Sequence, residues 1–235
     1  MRKTPTPAGR LISKSLRRDL VRLSAALRVD EGGGSSLLKV MVLADLIVAF
    51  DLRQAVEIGV YRGRLLLPLG MVMAARGRGE VVGIDPYLAE AAVQQDDHDV
   101  GFDLAEWAHH VDWDELHRGL RNAIDDWGLR DHCRLIRASS EEAVPDFAPA
   151  SIDLLHIDGN HDEAVVTRDV ELFLPKVRPG GFVVLDDVSW PSVRRVLDRL
   201  RDSQQLILHL VDGGNVWVGE DVSNDFAVFR VTSGK

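Results

Sequence analysis

Past residue 52 the chain alternates two patterns. Short, almost continuously apolar runs ("QAVEIG", "EVVGID", "CRLIRAS", "IDLLHID" and "GFVVLDD") are bounded by turn residues and separated by segments with helical spacing. Such runs lack the in–out alternation of a half-exposed strand, so they predict strands buried on both faces. Strands of that kind alternating with helices predict a parallel sheet covered on both sides. "RLLLPLGMVMAAR" is the helix after the first strand. Pro68 fits only in its first turns, because deeper in a helix proline removes a hydrogen bond and clashes with the preceding turn. Near the C-terminus the pattern changes. "LILHLVDGGNVWVG" sets two strand runs around Asp212-Gly213-Gly214-Asn215, a hairpin signal, and "FAVFRVT" follows as a further strand. The predicted fold class is α/β: a mainly parallel sheet finished by an antiparallel C-terminal hairpin strand, with helices on both faces.

Ahead of the sheet, helical patterns cover residues 11–29 and 36–51, joined by "EGGGSS", whose composition predicts a flexible connection. The chain therefore divides into an N-terminal helical segment, 1–51, and a sheet domain, 52–235. The helix "LLKVMVLADLIVAF" is interrupted by Lys39 and Asp45 and is too short to span a bilayer. It can bury against the sheet or against a second subunit, so a homodimer is among the expectations. Residues 86–130 are too many for one crossover. Their second part is an amphipathic helix from Trp113 to Trp127; the first part is acidic and carries Trp107, His109 and His110. Following a strand's carboxyl end, this insertion is either a lid over a site or a structural addition.

Composition narrows the partners. The 235 residues suffice for one substantial domain, and 46% apolar with 28% charged residues describes an ordinary globular protein. A formal net charge of −9 argues against nucleic acid and against an anionic membrane, which need a concentrated basic face. The basic run "RRDLVR" reads as the solvated face of a helix. Cys133 is the single cysteine, in an apolar run, and reads as a small buried hydrophobe. The N-terminus has no apolar stretch of the secretory kind, so a cytoplasmic location is expected.

The candidate chemistry lies where strands end. "VEIGVYRG" brings Glu57 to the end of the first strand and turns through Gly59 and Gly63 into a helix. Glycine there lets backbone approach a ligand, and the helix start offers unpaired N–H groups. A dinucleotide site would show G-x-G-x-x-G; Tyr61 stands at the second glycine position, which disfavours a pyrophosphate. Asp85 in "GIDPY" follows at the interval of an acid that accepts both hydroxyls of a ribose. A tight turn with a capping aspartate is the plainer alternative. Asp158 ends one strand and Asp186 with Asp187 ends another. In a parallel sheet such ends converge on the ligand crevice. Three carboxylates gathered there repel one another unless a proton or cation compensates, and a divalent ion such as Mg²⁺ suits oxygen ligands. Each acid can also be a helix cap or turn residue; that reading is adopted for Asp162 and Glu163. His161, three residues beyond Asp158, can face the same site without ligating.

These motifs, above all "IDLLHIDGNHDEAVVTRDVELFLPKVRPGGFVVLDDV", make residues 52–231 resemble the class I S-adenosylmethionine (SAM)-dependent methyltransferases. The resemblance is more specifically to bacterial metal-dependent O-methyltransferases that act on the sugars of natural products such as macrolides. It implies a Rossmann-like class I methyltransferase sheet, SAM and Mg²⁺ or a similar divalent cation, and transfer of a methyl group to a hydroxyl of a small molecule, a saccharide. It also implies that Glu57, Gly59, Tyr61 and Gly63 line the methionine and ribose side, that Asp85 holds the ribose hydroxyls and that Ser139 and Ser140 run beside the adenine. Asp158, Asp186 and Asp187 match the metal ligands, with Asp158 also facing the cofactor. His161 matches the general base and forms the catalytic pair with Asp158; its ordinary pKa of about 6.5 would leave it largely neutral at pH 7. One departure is "RASS", where many relatives show Gly-Asp-Ser. Two other functions fit the same residues: a catechol- or phenol-type O-methyltransferase, and a non-catalytic protein that binds the cofactor or a sugar. Hydroxylation would need a redox centre, for which only His156 and His161 offer themselves.

Overall fold

The computed structural model describes residues 11–28, 34–96, 102–212 and 224–232. One sheet holds β1 (Gln54–Ile58), β2 (Glu80–Ile84), β3 (Cys133–Ile136), β4 (Ile152–Ile157), β5 (Val177–Asp186), β6 (Gln205–Asp212) and β7 (Asn224–Arg230). Their spatial order is β3-β2-β1-β4-β5-β7-β6. β1 to β5 are parallel, while β7 runs antiparallel to both β5 and β6. The fold is the predicted α/β sheet with an antiparallel C-terminal pair. β5 starts earlier than "GFVVLDD" implied: Ile152 faces Val177, and pairing resumes with Leu154 opposite Phe182 after a bulge. β6 pairs with β7; the predicted turn beyond Asp212 and the run "VWVG" lie outside the described residues.

Alternate residues of each strand feed two cores, because successive side chains point to opposite faces. Ala55, Val81, Leu154 and Phe182 meet α1 (Lys14–Ala26), α2 (Leu37–Ala49), α3 (Leu66–Arg76) and α6 (Trp113–Asp126). Val56, Val82, Leu155 and Val183 meet α7 (Ser140–Ala143), α8 (Glu163–Phe173) and α9 (Pro191–Ser203). Pro68 occupies the first turn of α3, as required. α4 (Ala89–Ala92) and α5 (Leu104–His110) belong to the insertion.

The N-terminal segment is part of this packing. Leu20 and Leu23 of α1 and Val40, Leu43 and Ile47 of α2 are buried in the same cluster as the sheet. The Asp45 carboxylate ties the two helices, accepting from Ile12 N at 2.9 Å and Arg17 Nη2 at 2.8 Å. The boundary expected between residues 51 and 52 therefore does not divide the core, and the apolar helix α2 buries within its own chain. Cys133 is buried as expected, and burial pushes its thiol up to about 12. Among the described residues no helix is long and apolar enough to cross a membrane.

Candidate active site

The carboxyl ends of the parallel strands open into a cavity of about 440 Å³, of the size that holds small molecules. Glu57, Gly59, Tyr61, Asp85, Ser139 and Ser140 line one part of it; Gly63 lies behind the wall. Glu57 is 3% exposed, paired in register with Gly83 and His156, and its Oε2 is buried with no hydrogen-bond partner among the described residues. Burial pushes its carboxyl up, with His156 pulling the other way. An orphaned buried carboxylate oxygen suits a cationic group, and in this respect the site fits the amine-bearing SAM.

The glycines also admit close protein neighbours. A Cβ on Gly59 (φ +81°) would lie 2.1 Å from the Asp158 carbonyl oxygen, and one on Gly63 (φ +75°) 2.4 Å from Leu120 Cδ1. Both let protein neighbours approach, the turn after β4 and helix α6. Asp85 Oδ2 accepts from Val60 N at 2.9 Å and Tyr61 N at 3.0 Å, and Oδ1 from Tyr87 N at 2.8 Å. A carboxylate has about four acceptor positions, so Asp85 has room for one ribose hydroxyl rather than both. Burial raises its carboxyl and these three N–H groups oppose the rise. Ser139 caps α7, accepting from Glu142 N and donating to Glu142 Oε2 at 2.8 Å, while the Ser140 hydroxyl donates to Asp169 Oδ1. Both hydroxyl protons are committed, so this pair offers a ligand acceptor lone pairs rather than hydroxyl donors.

Opposite lies the acidic part. Asp158 follows β4, Asp186 ends β5, and Asp187 adopts the left-handed conformation at φ +49°, which aspartate tolerates better than most residues. His161 Nε2 stands 2.9 Å from Asp187 Oδ2 and 3.8 Å from Asp158 Oδ1, and the ring packs on Trp190 at 4.7 Å. The ligand atoms of Asp158, His161 and Asp187 lie within 4.8 Å of one another, as do those of Glu57, His156 and Asp158. Asp186 lies beside Asp158. Its Oδ2 is ion-paired with Lys39 Nζ from α2 and lies 3.6 Å from His156 Nε2. His161 stands between Asp158 and Asp187, while Asp186, in contact with Asp158, also takes Lys39 as a partner, because a buried carboxylate needs a countercharge. The donor set fits a divalent cation: Asp158, Asp187 and His161 converge, and Asp186 lies beside Asp158 with Lys39 as its countercharge.

The charges settle accordingly. Burial and then Asp186 raise the Asp158 carboxyl to about 7, against Lys39 and His161. Burial opposes the charge on Asp186, but Lys39 and His156 hold it far below the usual carboxylate range. Burial alone would lower Lys39 and the two histidines, yet the acids around them prevail. Lys39 stays raised by Asp186 and Asp158, His156 reaches about 9 through Asp186 and Glu57, and His161 about 10 through Asp187 and Asp158. The ligand-free His161 is therefore an imidazolium at pH 7, not the neutral ring expected from its ordinary pKa.

Five contributors were missed or read otherwise in the sequence. Lys39 stood out only as a polar break in an apolar run, and His156 only as a candidate for a redox centre. Gln94 Nε2 lies 3.4 Å from His161 Nδ1 while Gln94 Oε1 is buried without a partner. With the amide reversed, Oε1 would accept from Nδ1–H. Asp162 stands at the N-cap position of α8 but makes no cap bond. Its carboxylate accepts instead from Gln95 N at 2.9 and 2.8 Å and Asp96 N at 2.7 Å. Asn160 Nδ2 donates to Val93 O at 2.9 Å. These bonds clamp the insertion to the turn that carries His161, which corrects the helix-cap reading of Asp162. Glu163 does sit in the first turn of α8, paired with Arg199 at 3.3 Å. Further along the insertion, Trp107 and Trp113 reach the cavity and pack with Tyr61 at 5.9 and 6.1 Å between ring centres.

Known proteins resemble this chain. Mycinamicin III 3''-O-methyltransferase of Micromonospora griseorubida is 25% identical over 162 residues, 66% of this chain and 63% of that protein. An uncharacterized protein, y4gI, of Sinorhizobium fredii is 41% identical over 56 residues, 24% of this chain and 6% of that one. The chain thus spans less than two thirds of the length of these curated relatives. The O-methyltransferase TomG from Streptomyces achromogenes, involved in tomaymycin synthesis and solved in complex with SAM, superposes with a TM-score of 0.60 at 15% identity. That likeness covers 94% of this chain and 100% of TomG, and it shows the shared fold. Residues 56–188 match the family model described as a methyltransferase domain, a span of more than half the chain that runs from β1 past Asp187. The chain belongs to that methyltransferase domain family.

Proposed function

We propose that the protein is a SAM-dependent O-methyltransferase acting on a hydroxyl of a small molecule, a saccharide, with Mg²⁺ or a similar divalent cation held by Asp158 and Asp187. The observation that carries this reading is the Asp158–His161–Asp187 cluster, which shares one cavity with Glu57 and Asp85. When bound, SAM supplies an electrophilic methyl group and the divalent ion a Lewis acid for the acceptor oxygen. Glu57 Oε2 receives a cationic group of the cofactor, Asp85 one ribose hydroxyl, and the Ser139–Ser140 backbone borders the adenine. Asp158 and Asp187 hold the cation. The same two carboxylates keep His161 protonated, so once they are neutralised the ring would release that proton to solvent and Nε2 could then take the acceptor hydroxyl's proton. The clamped insertion keeps water out while the reactants are held together. Trp107, Trp113 and Trp190 line the same cavity as the carboxylates, and together they offer the apolar faces and polar groups that a sugar ring requires, which supports the saccharide. A cytoplasmic homodimer completes the reading: a lone buried thiol suits a reducing compartment, and light scattering of the purified chain tests the dimer.

The test is methyl transfer from labelled SAM to a panel of sugars and phenols, with Mg²⁺ or with EDTA. Transfer to a sugar hydroxyl is expected, abolished by EDTA and by Asp158→Ala or Asp187→Ala while SAM binding persists. His161→Ala should slow turnover about 10²–10⁴-fold. Transfer to phenols alone makes the protein a catechol-type enzyme, and SAM binding without transfer makes it an accessory binder. Full activity of Asp158→Ala in EDTA would sink the metal.

A further inference from the structure

Away from the cluster around His161, the cavity wall carries one more carboxylate. Asp169 of α8 is 2% exposed, lines the cavity and belongs to neither group of residues that could hold an ion. Its Oδ1 accepts from the Ser140 hydroxyl, while Oδ2 makes no hydrogen bond among the described residues. Gly159 lines the cavity too, and a Cβ there would stand 3.9 Å from Asp169 Oδ2. Leaving a buried carboxylate oxygen unpaired is costly, and a ligand that donates to it removes that cost.

The surroundings narrow the donor. Pro86, Leu88 and Val165 give this cavity apolar wall, which suits the faces of a planar heterocycle. Ser140, which holds Oδ1, belongs to the segment assigned above to the adenine. The two acids that follow it in α7 do not line the cavity: Glu141 pairs with Arg168 at 2.8 Å and Glu142 with Ser139. Adenine carries an amine at its six-position, and an ionised carboxylate only accepts hydrogen bonds. A 6-oxo purine presents a carbonyl oxygen at the same place, and two acceptors repel. Serine hydroxyls take either role and so discriminate poorly.

We propose that Asp169 is the residue that selects the cofactor's base: Oδ2 accepts from the exocyclic amine of adenine and disfavours a 6-oxo purine. The inference rests on the reading of this cavity as a SAM site. Ser140, by holding Oδ1, keeps Oδ2 in one direction, and the bond to the amine is charge-assisted.

The experiment titrates the full chain at pH 8 with S-adenosylhomocysteine and with S-inosylhomocysteine, its 6-oxo analogue, by calorimetry without metal or acceptor. The wild type is expected to bind the adenine compound at least tenfold more tightly. In Asp169→Asn the amide oxygen still accepts from Ser140, which puts Nδ2–H where Oδ2 stood. That donor opposes the adenine amine and meets the 6-oxo group, so the preference should fall at least tenfold. Asp169→Ala, with neither oxygen, should bind the two compounds within about threefold of each other. A residue that merely held Ser140 in place would give the other result, equal changes for both compounds and an unaltered preference; that result overturns the proposal. Tight binding of both compounds by the wild type without discrimination also overturns it, and leaves the SAM reading standing. Binding of neither compound by the wild type sinks the SAM reading and the role of Asp169 together.

Discussion

Asp169 shows what a single buried carboxylate does to this fold. It lies in α8 at 2% exposure, accepts from the Ser140 hydroxyl, and is pushed up to about 6 by burial, against that hydrogen bond. The folded carboxyl thus titrates above its unfolded value of about 3.9. Between those pH values the native state binds the extra proton, so stability falls as pH rises through that window. Asp169→Asn keeps an acceptor for Ser140 and removes the charge. It should stabilise the protein by about 1–3 kcal/mol at pH 8 and by almost nothing at pH 4. Melting curves at the two pH values check this, and an equal effect at both would refute it. The residue was visible in the sequence only as the "RD" of the helical motif. Its partner Ser140 is 29 positions away, and the contact exists only because α7 and α8 pack side by side.

At the scale of elements, the five parallel strands could be read directly, because burial on both faces demands near-continuous apolar residues and leaves a strong pattern. The insertion could not. Its first part has no periodicity, and its order comes from bonds to a distant turn: Asp162 to Gln95 and Asp96, Asn160 to Val93. Each such bond contributes on the order of 1 kcal/mol net. Asp162→Ala should therefore release the insertion locally while sparing the sheet. Hydrogen exchange at Gln95 and Asp96 is expected to quicken at least tenfold with β4 unchanged; equal exchange in both proteins would show that Asp162 is no clamp.

For the whole molecule, the decisive feature is that the N-terminal helices complete the core and the site together. Leu37, Val40, Leu43 and Ile47 of α2 are buried, and burying four such side chains is worth roughly 5–10 kcal/mol, comparable with the total stability of a domain. The same helix delivers Lys39 to the acids at the far end of the sheet. A chain beginning at residue 52 should lose cooperative unfolding, seen as a broad, featureless thermal transition; a sharp transition near that of the full chain would show that the sheet domain stands alone.

The strand runs, the Pro68 helix start, the antiparallel finish and the acids at strand ends were all determined by sequence, since each follows from local pattern and from the rule that parallel strands gather their carboxyl ends. What only tertiary structure decided is how those acids divide. Asp158 and Asp187 were drawn to His161 while Asp186 was drawn to Lys39, 147 positions away. The protonation of His161 and the clamp at Asp162 were decided the same way. Periodicity encodes which face of an element is buried, but pairing of buried charges depends on which element arrives opposite, and desolvation then makes that pairing decisive.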